Sequence, residues 1–195
     1  MRLGLYLPLI LFMFSVAPAF AEPVEYDLDG GHTQVIWSVE RFGFTYVFAS
    51  FTEISGSMIL DEEAPEQSSV TAEILTASVL SDLPAREDAI RSPHWLNVEA
   101  FPTIQFTSTD VRLLPNDDDK QRAEVSGTLD LHGVSLPITL HVALNAIGTD
   151  PVTRRRAAGF SATGSLERMD YGIETASRLV GGSVNFQIEA LAIQR

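Results

Sequence analysis

Residues 123–144 have the sequence AEVSGTLDLHGVSLPITLHVAL, in which apolar or small side chains recur at alternate positions on both sides of His132-Gly133. The alternating positions are Ala123, Val125, Gly127, Leu129 and Leu131 before the turn and Leu136, Ile138, Leu140, Val142 and Leu144 after it. Alternation with a period of two is typical of a strand with one buried face. Two such runs joined by a short glycine-containing turn predict an antiparallel hairpin.

Shorter runs with the same alternation lie on both sides of this hairpin. They occupy residues 35–39, 54–60, 70–74, 104–106, 160–166 and 184–190. Turn-forming residues separate them, as at Asp29-Gly30-Gly31 and Gly181-Gly182. Asn116 to Asp119 is expected to be a solvated hairpin tip. Strands of this length and spacing predict an all-β fold, an antiparallel barrel or sandwich of about eight strands.

One segment interrupts the alternation. Ser81 or Asp82 can cap a helix with Pro84 in its first turn, and Ser92 can cap another that begins at Pro93. We therefore expect one or two short helices in this connection. Trp95 and Leu96 on the second are expected to close one end of a barrel.

The predicted inward face is rich in large apolar side chains. Its candidate ligand-binding residues are Trp37, Val39, Phe42, Phe51, Met58, Phe106, Leu129, Leu140, Phe160, Ala162 and Phe186. An eight-stranded barrel of ordinary width can be filled by its own side chains, which would make it the solid scaffold of a periplasmic stress or interaction protein that works by surface contact. Small residues on the same face, at Gly56, Ala72, Gly127, Ala162 and Gly164, instead predict unfilled space suited to an apolar ligand.

The first 21 residues have the pattern of an export signal. Arg2 precedes the apolar stretch Leu3 to Val16, and Ala19-Phe20-Ala21 has small residues at the positions that a signal peptidase recognises. The stretch is shorter than the ~20 residues of a membrane span. We expect residues 1–21 to be a signal peptide cleaved after Ala21, and residues 22–195 to be a single domain in the periplasm.

Composition disfavours several classes of function. The formal net charge of −13 becomes −14 when the signal peptide takes Arg2 away, and such a surface repels nucleic acid. The chain has no cysteine, and its four histidines lack metal-ligand spacing. Phosphate-binding and nucleophile motifs are also missing. We expect no metal, no cofactor and no catalytic residues. An enzyme that uses Asp29, His32 and Glu87 is the alternative, although an Asp-x-x-His turn more often fixes a loop by hydrogen bonds.

Several blocks of sequence, taken in order, resemble the YceI-like family. They are Tyr26-x-Leu-Asp-x-x-His-Thr, Trp37-Ser-Val-x-x-Phe-Gly, Arg91-Ser-Pro-x-Trp-Leu-Asn-Val-Glu-x-Phe-Pro, Gly127-Thr-Leu-Asp-Leu-His-Gly-Val and Arg168-Met-Asp-Tyr-Gly. The resemblance implies an extended lipocalin-like barrel in the periplasm that encloses a long polyisoprenoid, either a polyprenyl lipid or a prenyl quinone. It implies transport, storage or protection of that lipid, with an inner-membrane protein such as a cytochrome or a lipid enzyme as partner. The barrel is expected to be a monomer or a homodimer.

The sequence departs from the family pattern at positions expected near a headgroup. Arg41 stands where the family usually has histidine, and Glu87 and Ala89 replace an acid and a histidine. Arg168, Asp170 and Gly172 match the family. Their implied role is structural: Gly172 permits a tight turn, and an Arg168–Asp170 pair braces it.

Overall fold

The computed structural model describes residues 24–117 and 120–195. The predicted signal peptide and its cleavage site lie outside these residues, as does part of the predicted hairpin tip at Asn116 to Asp119. The strands are β1 Val24–Leu28, β2 Gln34–Arg41, β3 Thr45–Phe51, β4 Ile54–Leu60, β5 Ser69–Leu75, β6 Val79–Leu80, β7 Thr103–Asp117, β8 Lys120–Leu131, β9 Val134–Thr149, β10 Arg156–Glu167 and β11 Val180–Gln194. The α-helix in the described part of the chain is α1, Pro84–Arg91.

Eight of the strands form a closed antiparallel ring. Their order is β1-β4-β5-β7-β8-β9-β10-β11, and β11 pairs back to β1 with Tyr26 opposite Gln194. The hairpin of residues 123–144 is β8–β9, paired from Leu131 opposite Val134 outward to Arg122 opposite Ala143. The predicted all-β antiparallel barrel of about eight strands is therefore confirmed.

The other three strands extend one wall of the ring. The edge of β11 that pairs with β1 also pairs with β2, from Gln34 opposite Glu189 to Val39 opposite Val184. Next come β3 and then β6, where Ser50 lies opposite Leu80. A 3-10 turn, Thr76–Ser78, connects β5 of the ring directly to β6. The extension is thus tied to the ring at both of its sides.

The connection between β6 and β7 contains one helix, not two. α1 begins at Pro84 after Leu83, and neither Ser81 nor Asp82 caps it. The Glu87 carboxylate instead accepts a hydrogen bond of 2.8 Å from the Ser81 backbone N–H. The second predicted helix is a series of turns: the Ser92 carbonyl accepts from the N–H groups of Trp95 and Asn97, both at 3.0 Å, and Asn97 adopts φ 47°, which ends any helical conformation there.

Two bulges change which side chains face inward. Between Ser108 and Asp110 the register of β7 against β8 shifts by one residue. On β9, Leu144 pairs with Phe160 but Ala146 pairs with Gly159, which leaves Asn145 as the extra residue. Beyond each bulge the inward face passes to the opposite parity of the sequence.

The barrel has two different ends. The α1 end is covered by α1 and the turns that carry Trp95, and its buried cluster includes Val79, Ile90 and Tyr171. The β1 end has a cluster around Tyr26, Ala158 and Ala192. Within residues 24–117 and 120–195, no helix combines the length and apolar character that a bilayer span needs.

Candidate ligand-binding cavity

The interior of the barrel holds a cavity of about 710 Å³. It extends from Ser69 and Ile147 near the β1 end to Trp95 and Arg168 at the α1 end. The side chains that line it between these ends are almost all aliphatic or aromatic, because each strand turns its apolar alternate positions inward. Its volume lies within the range of about 300–1,000 Å³ found for small-molecule sites.

Ten of the eleven predicted site residues line this cavity together. They are Trp37, Val39, Phe51, Met58, Phe106, Leu129, Leu140, Phe160, Ala162 and Phe186. They come from β2, β3, β4, β7, β8, β9, β10 and β11, so the residues surround the space from nearly every side. Nine of them lie on strands whose alternation predicted the inward face; Phe51 lies on β3, which the alternation did not predict.

Phe42 is the exception, and its predicted place in the interior is wrong. It lies in the turn between β2 and β3, with φ 58°, and Gly43 follows with φ 70°. The Phe44 N–H donates to the Arg41 carbonyl at 3.1 Å, which completes a tight type I′ turn. The strand alternation ends one residue earlier, at Arg41, whose guanidinium carbon lies 4.0 Å from the centroid of the Phe42 ring. Phe42 is 42% exposed.

The small inward residues do not all create space. A Cβ placed on Gly127 would stand 2.5 Å from a ring carbon of Phe106, and one on Gly164 would stand 2.5 Å from a ring carbon of Phe186. These glycines accommodate the neighbouring rings and do not line the cavity. Ala72 and Ala162 do line it. The unfilled volume thus depends on alanines and on the curvature of the barrel more than on the glycines.

Several lining residues could not be assigned from alternation alone. Val111, Leu113 and Ile147 line the cavity because they follow the bulges in β7 and β9. At the α1 end the lining includes Arg86 and Ile90 from the helix. The apolar character of Val111 and Leu113 was the available signal, but it could not show which side of the sheet they occupy.

Arg168 closes the cavity at the α1 end from within the protein. It is buried, and it donates from Nε to the Gly181 carbonyl at 2.8 Å, from Nη2 to the Val180 carbonyl at 2.9 Å and from Nη1 to the Ile173 carbonyl. Its guanidinium carbon lies 5.3 Å from the Trp95 ring centroid. Burial lowers the pKa of Arg168.

The predicted Arg168–Asp170 pair is not observed. The three guanidinium hydrogen bonds go to backbone carbonyls that precede or begin β11, so Arg168 holds the 3-10 turn Arg168–Tyr171 against that strand. Gly172 has φ 75°, as a tight turn requires. Trp95 and Leu96 both line the cavity at this end, where they were expected.

The residues of the enzyme alternative do not meet inside the barrel. Asp29 Oδ2 lies 2.8 Å from His32 Nδ1, and Asp29 Oδ1 accepts from the Gly31 N–H at 2.9 Å. The hydrogen bond with His32 is the main cause that lowers the pKa of Asp29. Glu87 is held by Ser81 and Arg91. The Asp29–His32 contact thus fixes the loop between β1 and β2, and none of the three residues lines the cavity.

Other charged side chains also serve structural contacts. Arg156, from the basic cluster Arg154–Arg156, makes a two-pronged pair with Glu62, with nitrogen–oxygen distances of 2.6–2.9 Å. Among residues 24–117 and 120–195, no group of three or more histidine, aspartate or glutamate side chains is arranged to hold a metal ion.

Comparison with known proteins agrees with this architecture. The sequence profile of the YceI-like domain matches residues 26–192, which is nearly all of the described chain. The chain belongs to the YceI-like family. Among YceI-like relatives, it is 31% identical to Protein YceI of Escherichia coli O157:H7 over 183 residues, which cover 94% of this chain and 93% of the relative. It is 33% identical to a UPF0312 protein of Pseudomonas putida strain W619 over 162 residues, which cover 83% and 82%.

Solved structures share the YceI-like barrel at lower identity. BcnA of Burkholderia cenocepacia superposes with a TM-score of 0.74 at 16% identity, over 84% of this chain and 98% of that chain. The YceI protein of Campylobacter jejuni has a TM-score of 0.68 at 22% identity, over 78% and 87%. A structure described as a polyisoprenoid binding domain from Saccharophagus degradans has a TM-score of 0.62 at 14% identity, over 88% and 99%.

Proposed function

We propose that this protein is an exported binding protein that holds a long isoprenoid lipid, of the polyprenyl or prenyl-quinone type, inside the barrel. The observation that carries the proposal is the continuous apolar cavity of about 710 Å³ that lies between the ring, β2, β3 and α1. A barrel that worked only as a filled scaffold would not leave this space. The protein binds its ligand and performs no chemistry on it.

The lining of the cavity supports an apolar chain as ligand. Ring faces from Trp37, Phe106, Phe160 and Phe186 and branched side chains from several strands meet across the space. Each buried isoprenoid carbon contributes on the order of 0.8 kcal/mol, so even partial burial of a long tail gives firm binding. The net binding free energy is smaller than this sum, because ordering a flexible chain costs free energy and non-covalent complexes do not bind more tightly than about −18 to −21 kcal/mol.

The relationship to the Saccharophagus degradans domain supports the same ligand class. That domain is described as polyisoprenoid binding, and it shares the fold over 88% of this chain. At 14% identity the likeness concerns the fold, so the ligand class is transferred here as part of the proposal. The cavity provides the independent reason for it.

The proposed location rests on the predicted signal peptide, and the proposed partner on the resemblance to the YceI-like family. Export through the Ala19-Phe20-Ala21 site would place the domain, from Glu22 onward, in the periplasm. There it would transport, store or protect the lipid, and it would exchange it with an inner-membrane protein such as a cytochrome or a lipid enzyme. Intact-mass analysis of the osmotic-shock fraction tests the export step: a chain that begins at Glu22 supports it, and retention of residues 1–21 in the membrane pellet contradicts it.

The ligand is tested by mass spectrometry of an organic extract of protein purified without detergent. We expect an isoprenoid from the parent protein and none from the Ala162→Leu variant, whose longer side chain projects into the cavity. The variant is the matched control, because contaminating lipid would accompany both proteins equally. An extract of the parent protein that contains no apolar ligand would overturn the proposal.

A further inference from the structure

Exposed apolar side chains are concentrated around the hairpin between β2 and β3. We call this set the aromatic rim; it consists of Phe42, Phe44, Tyr46, Phe48, Leu80 and Leu179. Phe44, at the tip of the hairpin, is 91% exposed, and Phe48 is 63% exposed. Isolated exposed apolar side chains are common, but a contiguous group marks a contact surface.

Pairing and hydrogen bonding make the rim continuous. Tyr46 and Phe48 share the outer face of β3, and Leu80 belongs to the same face because it pairs with Ser50. The Phe42 N–H donates to the Leu179 carbonyl at 2.7 Å, which brings the loop before β11 against the hairpin tip. The rim thus covers one side of the α1 end and the tip beside it.

The rim adjoins the cavity through alternate residues of the same segments. Arg41, Val47 and Val180 line the cavity, and their chain neighbours Phe42, Phe48 and Leu179 belong to the rim. Neighbouring residues of these segments therefore face opposite sides of the wall. Only the backbone separates the aromatic rim from the apolar cavity here.

The left-handed backbone conformation of Phe42 makes phenylalanine an energetically unfavourable residue at this position, and the exposed ring is present in spite of that. Its φ of 58° is left-handed, a region that costs an ordinary side chain more than it costs glycine or asparagine. A type I′ turn strongly prefers Asn-Gly at these two positions, but the sequence has Phe42-Gly43. Residues in sparsely populated conformations cluster at functional sites.

Charges at this end have both signs. Arg41, Arg86 and Arg178 form no ion pair with a carboxylate in the described part of the chain, and Glu40, Asp82 and Glu174 there form none with a basic side chain. Separate cations and anions of this kind complement a zwitterionic headgroup layer, in which phosphate and ammonium groups lie side by side. A strongly anionic surface would be repelled by the net charge of −13.

We propose that the aromatic rim docks the α1 end of the barrel onto a zwitterionic phospholipid bilayer, with Phe42 and Phe44 inserted at the headgroup level. Aromatic side chains favour that level of a membrane, and flanking arginines can extend from it to phosphates. The inference goes beyond the proposed function, since bilayer contact does not depend on what the cavity holds. A second copy of the chain is a poorer occupant, because pairing two rims would bring together two molecules of the same large negative charge.

The test is flotation with vesicles made of equal amounts of palmitoyl-oleoyl phosphatidylethanolamine and phosphatidylcholine. We expect the parent protein to float with them and Phe44→Ser to lower the partition coefficient about tenfold. Val152→Ser is the matched control, because Val152 is 87% exposed in the β9–β10 connection at the β1 end. It should bind as the parent protein does. All variants are compared in the same form of the chain, so any binding by the N-terminal segment is common to them.

Tryptophan fluorescence reports insertion directly when the residue is placed at position 44 or, as the control, at position 152. The emission of Phe44→Trp should shift to shorter wavelength when vesicles are added, whereas that of Val152→Trp should not. Phe42→Asn should also lower vesicle binding while its melting temperature stays the same or rises, which separates loss of docking from loss of folding.

Three results would overturn the proposal. One is a parent protein that stays at the bottom of the gradient. Another is equal binding by Phe44→Ser and Val152→Ser. The third is a sedimentation experiment in which Phe44→Ser converts a dimer of the parent protein to a monomer, since that would assign the rim to a second copy. If the cavity ligand is never found but the rim behaves as expected, the docking inference stands without the proposed function.

Discussion

The Phe186 ring covers Gly164 so closely that a Cβ at position 164 would stand 2.5 Å from ring carbon Cζ. Phe186 also lines the cavity, so its ring has empty space on the other side. Gly127 has a similar neighbour in Phe106, but a Cβ there would in addition stand 2.5 Å from the Thr107 carbonyl oxygen. A ring can turn into a cavity, whereas a carbonyl within a strand cannot move away.

This difference predicts unequal costs for two chemically identical substitutions. Gly164→Ala should keep its free energy of unfolding within about 1 kcal/mol of the parent protein, because Phe186 can move inward. Gly127→Ala should lose about 1–3 kcal/mol through overpacking against β7. Urea unfolding of both variants measures the difference. Equal losses would mean that the interior has no space to accept the ring.

Filling the cavity directly should separate stability from binding. Ala162→Leu adds apolar atoms to unfilled volume, so its lipid-free form should melt at the same or a higher temperature than the parent protein, with co-purified isoprenoid lost. Ala158→Leu is the control, since Ala158 is packed against Tyr26 and Ala192 and does not line the cavity. It should lose about 1–3 kcal/mol. Similar melting temperatures for both variants would contradict the conclusion that Ala162 borders empty volume whereas Ala158 is tightly packed.

Sequence periodicity predicted the eight runs that lie in β2, β4, β5 and β7 to β11, because a barrel with one apolar face requires alternation. It did not predict β1, β3 or β6. The prediction from alternation failed where a bulge shifts the inward positions by one residue and where the strand ends in a turn. Thr109 and Asn145 are extra residues at the bulges, and nothing in their type distinguishes them from ordinary outward positions. The prediction for Phe42 was wrong because an aromatic side chain was assigned to the interior by its type, although position 42 is out of step with the inward positions 35, 37 and 39 and Gly43 after it favours a turn. The packing of glycines under Phe106 and Phe186 depends on cross-strand neighbours, which the sequence alone does not pair.

Arg168 should be the costliest polar side chain to replace. Arg168→Met would leave the carbonyls of Ile173, Val180 and Gly181 without their donor, and we expect a loss of about 3 kcal/mol or more in the free energy of unfolding. Arg178→Met, at an exposed position in the loop just before β11, should change it by less than about 0.5 kcal/mol. Chemical denaturation of both variants tests this. A small effect at Arg168 would show that water can replace its hydrogen bonds.

Phe42→Asn should raise the stability of the isolated domain. Asparagine tolerates the left-handed conformation at this position, so we expect a gain of about 0.5–1 kcal/mol, reduced by loss of the contact with Arg41. Thermal unfolding of Phe42→Asn beside Phe42→Ala measures the backbone effect, because both lack the ring. If the two variants have equal stability, the left-handed conformation imposes no cost here.

Acid should weaken the loop between β1 and β2 through Asp29. Its pKa is lowered from the ordinary value of 3.8, chiefly by the hydrogen bond with His32, so the carboxylate stabilises the fold above that pH and this contribution is lost as the pH falls through the lower folded value. Asp29→Asn should therefore differ from the parent protein at pH 7 and converge toward it near pH 3. Unfolding curves at both pH values give the comparison, with Asp82→Asn as the exposed control. If the two proteins differ equally at both pH values, the ionised Asp29 carboxylate is not the source of the difference in stability.

The position of β11 has a consequence for how the chain is made. This last strand pairs with β10 along one edge and with both β1 and β2 along the other, and Tyr26 meets Gln194 from the far end of the sequence. Until β11, Val180–Gln194, has left the ribosome, three strands keep open hydrogen-bonding edges, which can recruit other chains. Pairings so distant in sequence also form slowly. A polypeptide whose synthesis stops before Val180 would lack the strand that joins both parts of the wall, so loss of β11 should lead to aggregation rather than to a smaller barrel.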